Sequence, residues 1–213
     1  MLIVLIFILG FLIGNIVEWF SYNIPKEENA PMTSNIKNCL KYVKRVLNKH
    51  MIVSILIGTV YCILYLKYKL SIGFFRYSSG CTILFVVALI DYKTKDVYFS
   101  TTCVSAVLSI VFIIIGYMNG ISIKSYVIGG ISAGIFSGIL AALSVIGWGD
   151  VEIFIVCGLL VGIYKVSIAA FISIVLCGGY GIIYILIRKK DKKGLRVAFG
   201  PYIIFALMFV IIF

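Results

Sequence analysis

Eight stretches of apolar residues, separated by short polar segments, organise this chain of 213 residues. A membrane-spanning helix needs roughly 20 apolar residues, and about 17 are tolerated. By this measure the sequence predicts helices at about 2–20, 51–66, 71–90, 97–116, 125–146, 151–163, 166–187 and 198–213. The sixth is short, and the second and eighth are marginal. The pattern predicts an all-α polytopic membrane protein with about eight transmembrane helices and a single membrane-embedded domain over residues 1–213.

The composition agrees with a chain that lies in the lipid bilayer. Hydrophobic residues make up 62% of it and charged residues 13%, whereas roughly a quarter of a soluble globular sequence is charged. The six cysteines form no C-x-x-C pair and there is a single histidine, so we expect no metal site and no disulfide framework.

The basic residues predict the orientation of the chain. Most of the 19 lysines and arginines fall in the predicted loops at 21–50, 91–96, 147–150 and 188–197. The positive-inside rule places these loops in the cytoplasm and therefore both termini outside. The formal net charge of +11 is then explained by contact with anionic lipid headgroups. No basic segment interleaves aromatic residues over a foldable length, so we expect no nucleic-acid partner.

Two aspartates stand at the ends of apolar runs, where a charge is costly and is by default a functional hypothesis. Asp91 ends the third predicted helix, and Asp150 follows Gly147-Trp148-Gly149 in the turn between the fifth and sixth. The predicted topology puts both at the cytoplasmic face. Gly147 and Gly149 would permit a compact re-entrant turn that presents Asp150; the alternative is an ordinary interhelical turn with a solvated aspartate. Two nearby carboxylates can share a proton and serve as general acid and general base.

Four separated patches of this sequence resemble the type IV prepilin peptidases, which are membrane aspartyl proteases of the G-x-G-D type. Leu89-Ile90-Asp91-Tyr92-Lys93 is similar to the family's first aspartate segment, and Gly147-Trp148-Gly149-Asp150 to its second. Ala198-Phe199-Gly200-Pro201-Tyr202 resembles the P-F-G-P-[FY] segment without its first proline. The stretch from Gly14 to Pro25 resembles the segment that ends the family's first helix.

The resemblance implies which residues perform the reaction. It assigns catalysis to Asp91 and Asp150, and motif or positioning roles to Gly147, Gly149, Glu152, Gly200 and Pro201. It implies a protease that needs no metal or cofactor and removes the short basic leader of prepilin or pseudopilin precursors. The active site would face the cytoplasm, in a bacterial cytoplasmic membrane.

Two further acids are candidates for binding the basic leader. Glu18 lies near the end of the first apolar run, where it would alternatively extend to the headgroups or pair with Lys26. Asp96 lies beyond Lys93 and Lys95, where it would alternatively only solvate its turn.

Some positions depart from the family pattern. Tyr98 stands where the family has proline, and Glu152 stands where it has lysine. Because like charges disfavour ionisation, Glu152 is expected to raise the proton affinity of the carboxylates. The short basic loop at 21–50 contains one cysteine, Cys39, so it cannot form the family's four-ligand zinc site. The accompanying N-methyltransferase activity is therefore doubtful, and S-adenosylmethionine would be a cofactor only if that activity were retained.

Two other functions remain open at this point. A presenilin-like intramembrane protease also uses a G-x-G-D aspartate, but its first aspartate typically follows a tyrosine inside a helix, whereas here Tyr92 follows Asp91. A small proton- or cation-coupled transporter could use Asp91, Asp150 and Glu18 as ion-binding groups. Such transporters tend to have paired halves, and this sequence has no internal symmetry of that kind.

Overall fold

All regular structure in the described part of the chain is helical. The computed structural model describes residues 1–27, 51–188 and 197–213. Within these ranges the helices are α1 (Leu2–Glu27), α2 (Met51–Tyr68), α3 (Ile72–Thr94), α4 (Phe99–Met118), α5 (Lys124–Ala142), α6 (Trp148–Val161), α7 (Ile163–Arg188) and α8 (Gly200–Ile212). Each predicted apolar segment corresponds to one of these eight helices.

Some helix boundaries differ from the prediction. α1 continues through Pro25 to Glu27, although the cytoplasmic loop was predicted to begin at residue 21. α6 begins at Trp148, so the predicted turn at 147–150 contains the first turn of a helix. Hydropathy detects the part of a helix that contacts lipid, whereas backbone hydrogen bonds continue the helix into polar residues.

Five of the described helices are long and apolar enough to cross a membrane, which makes the chain a multi-pass membrane protein. They are Leu2–Pro25, Ile72–Thr94, Phe99–Met118, Lys124–Ala142 and Ile163–Tyr184. Large apolar side chains such as Ile131 and Phe171 are exposed on them, as lipid-facing positions should be. The location of both termini outside the cell stays a prediction.

The chain divides into two compact units, Met1–Ile90 and Asp91–Phe213. In the first unit α1 packs closely on α2. A Cβ atom added to Gly14 would lie 2.5 Å from the Cα atom of Ser54, so Gly14 allows the two backbones to approach. Small residues at helix contacts have this effect in membranes. The single domain over 1–213 stays a prediction.

The second unit is organised around α6, which contacts α4, α5, α7 and α8. Its 14 residues extend only about 21 Å, less than the roughly 30 Å hydrocarbon core of a bilayer. Ile153, Phe154 and Leu160 are at most 1% exposed, so neighbouring helices rather than lipid surround α6. This burial explains why the segment is short, and it places the first turn of α6 inside the unit.

Candidate active site

Asp150 lies in the first turn of α6 and is 8% exposed. Its Oδ2 atom accepts a hydrogen bond of 3.1 Å from the backbone N–H of Gly147, which is the N-cap residue of α6. The first N–H groups of a helix have no partner within the helix, and a carboxylate there is favoured by the helix dipole. Asp150 therefore helps to begin the helix on which it is carried.

Asp91 lies in the last turn of α3 and is 4% exposed. Its Oδ2 atom accepts a hydrogen bond of 2.7 Å from the backbone N–H of Gly200, the first residue of α8. This bond joins residues 109 positions apart in the chain. Each aspartate is thus held at the N-terminus of a helix, which partly offsets the cost of burying a charge.

The structure brings the two aspartates to the same cavity. This cavity has a volume of about 970 Å³, and its lining includes Asp91, Asp150, Asp96 and Cys177. Sequence reasoning gave Cys177 no role and missed its place in the cavity wall. The sequence predicted only that Asp91 and Asp150 lie at the same membrane face, whereas in the second unit both line one cavity.

The glycines of the site are required by space. Gly147 has φ −75° and ψ 152°, an extended conformation open to any residue, and the helix α6 begins directly after it. A Cβ atom on Gly149 would lie 2.6 Å from the Cβ atom of Val97. A Cβ atom on Gly200 would lie 2.8 Å from Oδ2 of Asp91. These two glycines let neighbouring segments approach the aspartates closely.

The segment before α8 supports both sides of the site. Pro201 lies in the first turn of α8, where the missing N–H of proline costs no helical hydrogen bond. The rings of Phe199 and Phe154 lie 5.8 Å apart between centroids, so the residue before Gly200 packs on α6. This contact ties the start of α8, which holds Asp91, to the helix that carries Asp150.

Glu152 is held by α4. Its Oε2 atom accepts a hydrogen bond from the hydroxyl of Thr102, which is 2% exposed. Sequence reasoning missed Thr102, because nothing in the pattern links it to a residue 50 positions later.

The remaining sequence candidates lie in different places. Asp96 is exposed and lines the cavity of the two aspartates. Glu18 lies in the first unit, and its side chain is buried, with 5% exposed. The described part of the chain does not include Cys39, most of the basic residues of the loop at 21–50, or the side chain of Lys26. In the described ranges no group of three or more His, Cys, Asp or Glu residues could hold a metal ion.

The environment of Asp150 favours its protonated form. Burial and, second, the charge of Asp91 raise the pKa of Asp150 to about 6, while the hydrogen bond from Gly147 opposes the rise. Asp150 lies outside the five candidate spans. Glu152, which was expected to act on this carboxyl group, is not among the causes. An acid in this state can keep a proton close to neutral pH.

Asp150→Asn is expected to stabilise the folded protein at pH 7, and the gain should shrink on acidification to pH 4. The pKa of Asp150 is about 6 in the folded protein, against an ordinary 3.8. Protonated Asp150 therefore contributes its full stabilisation below pH 3.8, and this contribution is lost as the pH rises through about 6. The difference corresponds to at most ~3 kcal/mol. Thermal midpoints of both proteins in detergent between pH 4 and 7.5 measure it, and a pH-independent difference would contradict it.

Comparison with known protein families places part of this chain. Residues 78–182, about half of the chain, match the model of the type IV leader peptidase family. The matched range contains Asp91, Asp150 and Glu152 and ends before Gly200. Neither the search of curated proteins nor the search of solved structures found a match.

Proposed function

We propose that this chain, which belongs to the type IV leader peptidase family, is an aspartyl endopeptidase that removes the basic leader of prepilin-like precursors. Family membership implies a function like that of prepilin peptidases and prepilin substrates. The single observation that carries the aspartyl mechanism is the placement of Asp91 and Asp150 in one cavity. The cleavage site would face the cytoplasm, where a basic leader remains while the apolar part of the precursor stays in the bilayer.

The two carboxylates would act as one unit. One takes a proton from a water molecule as the water attacks the scissile carbonyl, and the other gives a proton to the carbonyl oxygen or the leaving amine. The proton belongs to the pair, so neither role is assigned to one residue. The N–H groups of Gly200 and Gly147 each hold an Oδ2 atom, which leaves the Oδ1 atoms for water and substrate. We propose no cofactor for this cleavage.

Acidic side chains of this chain would select a basic leader. Asp96 lines the same cavity and is exposed, so its charge is accessible to lysine side chains of the substrate. A cavity with negative charge on its wall raises the local concentration of cationic ligands. We propose Asp96 as a residue that binds the leader, and Glu18 as a second candidate.

Coexpression with a pilin-like precursor in bacterial membranes tests the proposal. The precursor should become shorter on a gel only when this chain is present, and mass spectrometry should place the cut between the basic leader and the apolar segment. A precursor that keeps its leader would contradict the proposed peptidase.

The same preparation separates the alternatives. A cut inside the apolar segment would favour a presenilin-like intramembrane protease. Proton or cation flux in proteoliposomes without any cleavage would favour a transporter.

A further inference from the structure

Two contacts join the N-terminal part of α6 to α4 and to the residues just before α4. Gly149 packs closely on Val97: a Cβ atom added to Gly149 would lie only 2.6 Å from the Cβ atom of Val97. Glu152, three positions further along α6, accepts the hydrogen bond from Thr102. Asp150 lies between Gly149 and Glu152, so both contacts fix the turn that carries it.

Glu152 faces a different neighbour from Asp150. Residues two positions apart on an α-helix point about 200° apart. The Asp150 carboxylate lines the cavity, while Glu152 reaches Thr102 on α4. An effect of Glu152 on the reaction would therefore pass through the backbone of the turn rather than through direct contact with the reacting atoms.

Thr102 can serve two acceptors with one hydrogen. Its hydroxyl lies 2.9 Å from the carbonyl oxygen of Phe99 and also within hydrogen-bond distance of Glu152. The first bond stays within α4, whereas the second crosses to α6. Because Thr102 is 2% exposed, water does not readily replace Glu152 as its partner.

We infer that Thr102 is a positioning residue of the peptidase, and that its hydrogen bond to Glu152 fixes the Asp150 carboxylate relative to Asp91. The inference rests on the proposed function. It also gives Glu152 a role that a lysine at this position could not have: the carboxylate accepts the hydrogen of a buried hydroxyl, which an ammonium group cannot do.

Paired variants at the two positions test the inference. Thr102→Val keeps the shape and removes the hydroxyl, and it should lower kcat roughly ten- to a hundredfold with little change in KM. Thr102→Ser keeps the hydroxyl and should retain most of the activity. Glu152→Gln keeps an acceptor oxygen and should resemble the wild type, whereas Glu152→Ala should resemble Thr102→Val.

The double variant Thr102→Val with Glu152→Ala shows whether the two single substitutions remove the same hydrogen bond or damage the protein in two separate ways. If both residues act through one bond, it should be no slower than either single variant. Thermal midpoints of the same four proteins give a readout without substrate, and they should also show coupling. Additive losses in kcat, or no coupling in thermal stability, would overturn the inference.

The outcomes distinguish this inference from the proposed function. If the wild type cleaves the precursor and Thr102→Val cleaves it equally well, only the positioning role fails. If Glu152→Gln loses cleavage while Glu152→Ala keeps it, the hydrogen bond from Thr102 to Glu152 is not what positions Asp150, and the positioning role fails. If the wild type cleaves no precursor, the proposed function and this inference fail together.

Discussion

Asparagine at either aspartate is expected to abolish cleavage. Asp91→Asn or Asp150→Asn should lower kcat roughly 10³-fold or more, because a positioned acid or base typically contributes about 10² to 10⁴. The amide keeps an oxygen that can accept the hydrogen bond from Gly200 or Gly147. Folding and membrane insertion should therefore persist while proton transfer is lost.

The matched comparison is Asp96→Asn, which removes the same charge from the wall of the same cavity. It should raise KM for a basic leader and leave kcat within about threefold, because a residue that only binds substrate acts before the chemical step. Cleavage rates with purified precursor in detergent, together with membrane-fraction blots, measure both effects. Full cleavage by either aspartate variant would exclude the aspartyl mechanism.

Most of the fold could be predicted from hydrophobic length alone. In a bilayer the backbone must satisfy its hydrogen bonds internally, so a long apolar segment becomes a helix with little dependence on its neighbours. The start of α6 could not be found in this way. It depends on the hydrogen bond that Asp150 accepts from the N–H of Gly147. A polar residue next to an apolar run predicts a loop from hydropathy, so Asp150 was assigned to the loop although it lies in the first turn of the helix.

The candidate site was predictable in its residues but not in its contacts. Asp91 and Asp150 stand out because charge is rare in apolar sequence, and the patch at 199–201 stands out by its resemblance. The bond from Gly200 to Asp91 and the bond from Thr102 to Glu152 span 109 and 50 positions. Such pairs are set by how helices pack, which the period of one helix does not encode.

Gly200→Ala is expected to damage catalysis strongly although it leaves both aspartates in place. Its methyl group would lie 2.8 Å from Oδ2 of Asp91, closer than such atoms approach, so either the carboxylate or the start of α8 must move. A displacement of about 1 Å can cost roughly a hundredfold in rate. We expect a loss of that order in kcat, measured on the same purified precursor.

Alanine substitutions at two other glycines serve as controls for Gly200→Ala. Gly147→Ala should be milder, because its methyl group would lie 3.3 Å from Oδ2 of Asp150, a separation that a small shift relieves. Gly181→Ala on α7 meets nothing within 4 Å and should keep wild-type activity. The expected order of damage is therefore Gly200, then Gly147, then Gly181. The methyl group of Gly200→Ala would crowd the Oδ2 atom that accepts the hydrogen bond from Gly200. Equal rates for the Gly200 and Gly181 variants would therefore mean that α8 does not hold the Asp91 carboxylate during the reaction.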